Sequence, residues 1–157
     1  MVREMRRKDK ALSQEELQEI MAREEYGVLS TVDQDGMPYG VPVNFVYDAG
    51  ESKIWFHSAT EGHKVDNLAF NAKASFCVVT DVELIPDDFN TKFRSVIAFG
   101  QVAEVTDEEE RLRVFRKLVD KFSAAFKEAG EKYIAASGKA AKVYALTVEH
   151  ITAKGKR

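Results

Sequence analysis

The chain has 157 residues, a mass of 17.7 kDa and a formal net charge of −3 at pH 7, with acidic and basic residues mixed along its length. This length predicts one domain over residues 1–157, and the lack of a basic face argues against nucleic-acid binding. No apolar run reaches the ~18 residues of a membrane helix. The single cysteine, Cys77, excludes an internal disulfide and a multi-cysteine metal site. We therefore expect a soluble, cytoplasmic protein without a metal.

The first 60 residues predict a short helix and then three antiparallel strands. Ser13 and Glu16 have the spacing of a capping box, which predicts a helix over residues 13–23. Pro38 and Pro42 have no backbone N–H, so the strand that contains them must lie at a sheet edge or at a bulge. Alternating apolar residues, separated by turn residues, predict the three strands over residues 26–32, 37–48 and 53–58.

The second part of the chain predicts two more helices and three more strands. Thr60 is the predicted cap of a short helix that continues to residue 71, and Thr106 with Glu109 predicts the start of a long helix. An apolar stripe in this long helix continues to Phe126. The three strands are predicted over residues 74–81, 93–105 and 142–152, with a polar loop over residues 82–92. Six strands joined mainly by hairpins, with helices at the corners, favour a small closed barrel.

The segment WFHSATEGHK, residues 55–64, contains the most informative cluster of polar residues. If Thr60 caps the helix, the N–H groups of Gly62 and His63 are free to bind an anion. Ser58 adds a hydroxyl group, Lys64 adds a positive charge, and a glycine lets an anion approach the backbone closely. The residues therefore fit a phosphate site, although an ordinary capped helix with a solvated lysine has the same pattern.

Four segments in order, PYGVPVNFVY, IWFHSATEGHK, ASFCVVTD and RSVIAFGQV, resemble the flavin mononucleotide (FMN)-binding split-barrel family, whose archetype is pyridoxamine 5′-phosphate oxidase. The opening MRRKDK and the pattern VPVNFVY…FHSATEGHK are most similar to its nitroimidazole-resistance (Nim) branch. The resemblance implies a mainly β fold with flanking helices, specifically a six-stranded antiparallel split β-barrel of Greek-key type. It also implies FMN as the cofactor.

The resemblance further implies which residues form the site. His57 would lie beside the flavin as the candidate catalytic residue, and Ser95 and Val96 would approach the cofactor, commonly from a partner subunit. The positions that match cofactor contacts of the family are Pro42, Val43, Asn44, Phe45, His57, Ser58, Ala59, Gly62, His63, Lys64, Ser95 and Val96. Gly40 and His63 replace two arginines of the oxidase, and the loss of this fixed positive charge argues against tight binding of FMN and against turnover of pyridoxamine phosphate.

These observations lead to the expectation of an FMN-dependent oxidoreductase that transfers a hydride or electrons to a small organic acceptor, as a nitro-compound reductase does. We expect a homodimer with cofactor sites at the subunit interface. The alternatives are a non-catalytic flavin-binding or sensor protein and a deazaflavin- or haem-handling relative of the same fold.

Overall fold

The structure, a computed structural model, describes residues 3–156. This part of the chain is mainly β, with flanking helices. The strands are β1 (Tyr26–Val32), β2 (Pro38–Asn44), β3 (Val46–Asp48), β4 (Lys53–Ala59), β5 (Lys73–Ile85), β6 (Asn90–Glu104) and β7 (Ala141–Lys156). The α-helices are α1 (Gln14–Arg23), α2 (His63–Phe70), α3 (Glu108–Phe122) and α4 (Lys127–Ser137). None of these helices has both the length and the apolar character needed to cross a membrane.

The strands form one antiparallel sheet in the order β2-β1-β5-β6-β7-β4-β3. Its two edge strands, β2 and β3, follow each other in the chain with only Phe45 between them. The sheet must therefore curl until its edges are close, although these edges are not paired with each other in residues 3–156. The antiparallel sheet is confirmed, whereas closure into a six-stranded barrel is not.

The predicted strand over residues 37–48 is two strands, which raises the number from six to seven. Residues 38–44 pair with β1, and residues 46–48 pair with β4. The partner changes at Phe45, whose side chain is completely buried. Pro38 and Pro42 lie on the edge strand β2, as their missing N–H groups predicted.

The predicted loop over residues 82–92 is wrong, because these residues extend β5 and β6 into a long hairpin. The ladder has an irregularity between Thr80 and Glu83, and it then continues to a turn at Pro86–Asp88. At the irregularity Asp81 has a φ of 53°, and its carboxylate accepts hydrogen bonds from Arg94 (2.7 Å) and Arg23 (3.1 Å). The extension leaves the core, so its sequence has no one-sided apolar pattern.

Helices α1 and α3 begin with different N-terminal caps. The capping box of Ser13 and Glu16 is present, so the prediction for α1 is confirmed. The cap of α3 is Asp107 rather than Thr106, and its carboxylate accepts a hydrogen bond from the N–H of Glu110 at 3.0 Å. Helix α3 ends at Phe122, so Phe126 lies beyond it and is exposed.

Two separate groups of apolar side chains stabilise this arrangement. The larger group fills the inside of the curled sheet under α1 and includes Leu29, Phe45, Phe56, Phe76 and Leu146. The smaller group lies between the outer face of the sheet and the two helices α3 and α4. It contains Trp55, Val114, Phe115, Leu118, Ile134, Val143 and Ala145. The odd-numbered residues of β4 thus face α3 and α4, while the even-numbered ones face the core.

Candidate functional site

Strand β4 ends with two polar side chains that point in opposite directions. Ser58 faces the core, is 5% exposed, and donates its hydroxyl hydrogen to the carbonyl of Ala59 at 2.8 Å. His57 shares the outer face with Trp55 and is exposed. The alternation along the strand therefore separates the predicted catalytic histidine from the predicted phosphate-binding serine.

Helix α2 begins three residues later than its predicted cap. Thr60 does not cap it; the N-cap is Gly62, and no side chain accepts a hydrogen bond from the first turn. Gly62 has a φ of 143°, which favours glycine, and a Cβ atom there would have no neighbour within 4 Å. The first helical hydrogen bond runs from the N–H of Asp66 to the carbonyl of Gly62, so the N–H groups of residues 63–65 have no partner inside the helix.

A buried hydrogen bond fixes the position of α2 on the sheet. The side-chain amide of Asn67 donates to the hydroxyl oxygen of Thr31 on β1 at 3.0 Å. Both side chains are buried, with 3% and 4% of their surface exposed. Leu68, one residue further, packs into the main core. These contacts hold α2 against β1 and the main core.

Tyr39, which lies beside the start of α2, was not among the site residues predicted from the sequence. Tyr39 on β2 stacks on the ring of His63, with ring centroids 3.9 Å apart and planes inclined by 28°. This contact brings β2 to the first residue of the helix. The only sequence signal for Tyr39 was its place in the segment that contains Pro42, because nothing local predicts contact with a residue 24 positions away.

His57 and Asn44 line one cavity of about 400 Å³, which lies between the strands and the pair α3–α4. The side-chain amide of Asn44 donates to the carbonyl of Glu25 at 3.0 Å. Burial by surrounding atoms lowers the pKa of His57, and the positive charge of Lys64 lowers it further. The ring is still partly open to solvent, so neutral imidazole is favoured at neutral pH without being enforced.

The other predicted site residues divide between core and surface. The side chains of Val43, Phe45 and Val96 belong to the main core, so only their main-chain atoms are available to a ligand. Pro42 is exposed on the edge strand β2. Ser95 faces the opposite side of β6 from Val96 and lines a second cavity, of about 290 Å³. One copy of the chain thus brings Asn44 and His57 into one cavity, with Lys64 near enough to affect the pKa of His57, but it leaves Ser95 elsewhere.

Comparisons with known proteins give a consistent result. Residues 13–155 match the family model described as pyridoxamine 5′-phosphate oxidase. No curated protein matches the sequence significantly. A candidate 5-nitroimidazole antibiotic resistance protein from Bacteroides thetaiotaomicron is similar in structure, with a TM-score of 0.74 and 21% identity over 91% of this chain and 84% of that one.

Two further solved structures have the same fold. The flavocytochrome Anf3 from Azotobacter vinelandii has a TM-score of 0.80 and 20% identity, and the match covers 98% of this chain and 72% of that one. An FAD and haem binding protein from Mycobacterium smegmatis has a TM-score of 0.71 and 20% identity, over 94% of this chain and 73% of that one. The fold is therefore one that flavin- and haem-binding proteins use.

Proposed function

Because the chain belongs to the pyridoxamine 5′-phosphate oxidase family, we propose that it binds FMN and acts as an oxidoreductase on a small organic acceptor. The likeness to a candidate nitroimidazole-resistance protein is the reason to place nitro compounds among the acceptors. The rest of the proposal depends on whether the residues of this chain fit the cofactor.

The observation that carries the proposal is the start of α2. Its free N–H groups at residues 63–65, the positive end of the helix dipole and the positive charge of Lys64 all favour a phosphate group. The φ of Gly62 and the open space beside it allow an anion to reach the backbone. These residues fit the phosphate of FMN. Ser58 contributes less than expected, since its hydroxyl already donates to a carbonyl.

The flavin, when bound, supplies hydride and electron transfer, and the side chains of this protein supply position and protons. Asn44 and His57 lie in one cavity, so they are the groups we assign to the acceptor. The lowered pKa of His57 makes the doubly protonated imidazolium form less abundant at neutral pH than it is for an ordinary histidine. His57 therefore serves as a hydrogen-bonding group at neutral pH and as a proton donor in more acidic solution.

We further propose that a second copy of the chain completes the site. Val28, Cys77 and Ile97 lie side by side on adjacent strands, and Val28 and Ile97 are each 37% exposed. Phe99, 39% exposed, continues this apolar row along β6. Burying such a face against a two-fold related copy would be favourable, and it would bring Ser95 towards the partner's site. Sedimentation or light scattering should then give about twice the mass of one chain.

The test of the phosphate assignment compares two ligands and two lysines. Lys64→Ala removes a charge-assisted contact worth roughly 1.5–3 kcal/mol, so the affinity for FMN should fall by about 10- to 100-fold. The affinity for riboflavin, which has no phosphate, should barely change. Lys73→Ala, which removes an exposed lysine on β5, is the matched control and should change neither affinity. Equal losses for both ligands would refute the phosphate site.

A haem-handling protein is the second candidate, and His150 favours it. Its Nε2 atom is buried and has no hydrogen-bond partner among the described residues, and an imidazole nitrogen is a common haem ligand. The cavity beside it is lined by three basic residues, Arg3, Arg6 and Lys154, and by one acidic residue, Glu4, so its excess of positive charge suits carboxylate groups. Titration with haemin should then give a Soret band that shifts in His150→Ala but not in His57→Ala. No difference between these variants would remove this candidate.

A further inference from the structure

The cavity that contains His57 has a chemical character that goes beyond the binding of FMN. Helices α3 and α4 cover the outer face of β4 through the smaller apolar group, and the cavity of about 400 Å³ remains between them and the strands. This volume is within the range of small-molecule sites. The cavity thus has room for a molecule of its own.

Carbon atoms form most of the cavity wall. Six large apolar residues of α3, α4 and the turn between them contribute to it: Phe115, Leu118, Phe122, Phe126, Tyr133 and Ile134. No residue that lines it among those described is acidic, and none carries a fixed positive charge. A charged ligand would lose its hydration there without gaining an oppositely charged partner, which is costly.

Two aromatic rings at this cavity are exposed to water. Phe126 is 68% exposed and Tyr133 is 66% exposed, although large apolar side chains are usually better covered. Phe126 directly precedes α4, and Tyr133 lies within α4. A flat apolar molecule in the cavity would cover these rings and so gain contact area.

Ser123 and Ser137 line the cavity from the helix side, and two further polar side chains, Asn44 and His57, line it from the strand side. The side-chain oxygen of Asn44 and the imidazole of His57 make no hydrogen bond with any described residue. They can bond to a polar group at one end of a ligand while the aromatic residues contact its apolar body. This division is typical of small-molecule sites, in which a few polar groups fix the orientation.

We propose that this cavity binds an uncharged, flat and mainly apolar molecule with one polar end directed at Asn44 and His57. The identification of this molecule as the electron acceptor rests on the proposed flavin function, whereas its binding does not. Phosphorylated compounds such as pyridoxamine phosphate are poor ligands for this cavity, because none of the described residues that line it carries a fixed positive charge to pair with an anion.

The test uses two fluorescent probes of similar shape on the full-length protein. N-phenyl-1-naphthylamine is uncharged, and 8-anilinonaphthalene-1-sulfonate is an anion. We expect the uncharged probe to bind at least about tenfold more tightly than the sulfonate, because only the sulfonate must lose hydration without a partner. Equal affinities would overturn the proposal.

Three variants assign the binding to the cavity. Phe126→Ala combined with Tyr133→Ala should weaken binding of the uncharged probe by about tenfold, because two rings that cover it are removed. Ala129→Phe should weaken it by filling the space. Phe89→Ala is the matched control, since Phe89 is 96% exposed on the β5–β6 hairpin, and it should change nothing. Unchanged binding in the first two variants would refute the site.

The same titration separates this proposal from the flavin function. The uncharged probe should bind whether or not FMN is present. If FMN displaces it competitively, the flavin ring fills the cavity and a separate ligand is excluded. If the probe binds but FMN does not, the flavin function fails while the cavity proposal stands.

Discussion

The hydrogen bond between Asn67 and Thr31 gives the sharpest test of how the fold positions the start of α2. In Asn67→Leu the hydroxyl of Thr31 stays buried without its partner, and in Thr31→Val the amide of Asn67 does. An unpaired buried polar group costs about 1–3 kcal/mol, so each variant should lose that much unfolding free energy. The double variant replaces both groups with apolar ones of similar shape, and it should lose less than the sum.

Urea unfolding followed by circular dichroism measures these differences. With a slope of about 1–3 kcal/mol per M, a loss of 2 kcal/mol lowers the midpoint by roughly 1 M. We expect an interaction energy between the two sites of about 1 kcal/mol or more. Thr147→Val removes an exposed hydroxyl on β7 and should change stability by less than about 0.5 kcal/mol.

If the double variant loses as much unfolding free energy as the two single variants together, the idea that this hydrogen bond holds the helix is refuted. The same variants also bear on the proposed function. Asn67→Leu loosens the helix without touching its first turn, so the affinity for FMN should fall more than the affinity for riboflavin. Equal affinities in Asn67→Leu and in the unchanged protein would show that this bond does not position the phosphate site.

Two further predictions concern titration. The pKa of His57, followed by NMR, should lie below its ordinary value and should rise in Lys64→Ala, but only in part because burial is the larger cause. An unchanged pKa would contradict the electrostatic effect of the Lys64 charge. Burial lowers the pKa of Lys121 from its ordinary value of 10.5 to about 8. Between these two pH values the unfolded chain binds more protons than the folded one, so the free energy of unfolding should rise with pH. Lys121→Met should lack this rise. A rise of the same size in both proteins would mean that the carbonyls of Met21 and Phe45, which accept hydrogen bonds from the Lys121 ammonium, keep it charged.

The sequence predicted the regular elements better than the positions at which they begin. Alternation predicted β1 with its observed bounds, and the capping box predicted α1. For α3, residues 106–110 contain two overlapping cap signals, Thr106 with Glu109 and Asp107 with Glu110, and the structure uses the second cap. Local spacing cannot choose between them, because both pairs have the same i, i+3 separation.

Only part of the candidate site, likewise, could be predicted from the sequence. The opposite directions of His57 and Ser58 followed from strand alternation alone. The cavity could not be predicted from the sequence, because only Ile134 of its second helix, α4, is buried, and one buried residue makes no apolar stripe. The contact between Tyr39 and His63 depends on the curl of the sheet, which no local pattern encodes.

The two edge strands also limit how copies of this protein can associate. An exposed edge normally invites a strand from another molecule, which leads to open-ended aggregation. On β2 the ladder to β1 is unbroken through both prolines, so Pro38 and Pro42 face the open edge, where they offer no donor to an incoming strand. On β3 the edge is only three residues long. Edge-to-edge growth into fibres is therefore disfavoured, which agrees with the proposal that a dimer would form through the faces of the sheets.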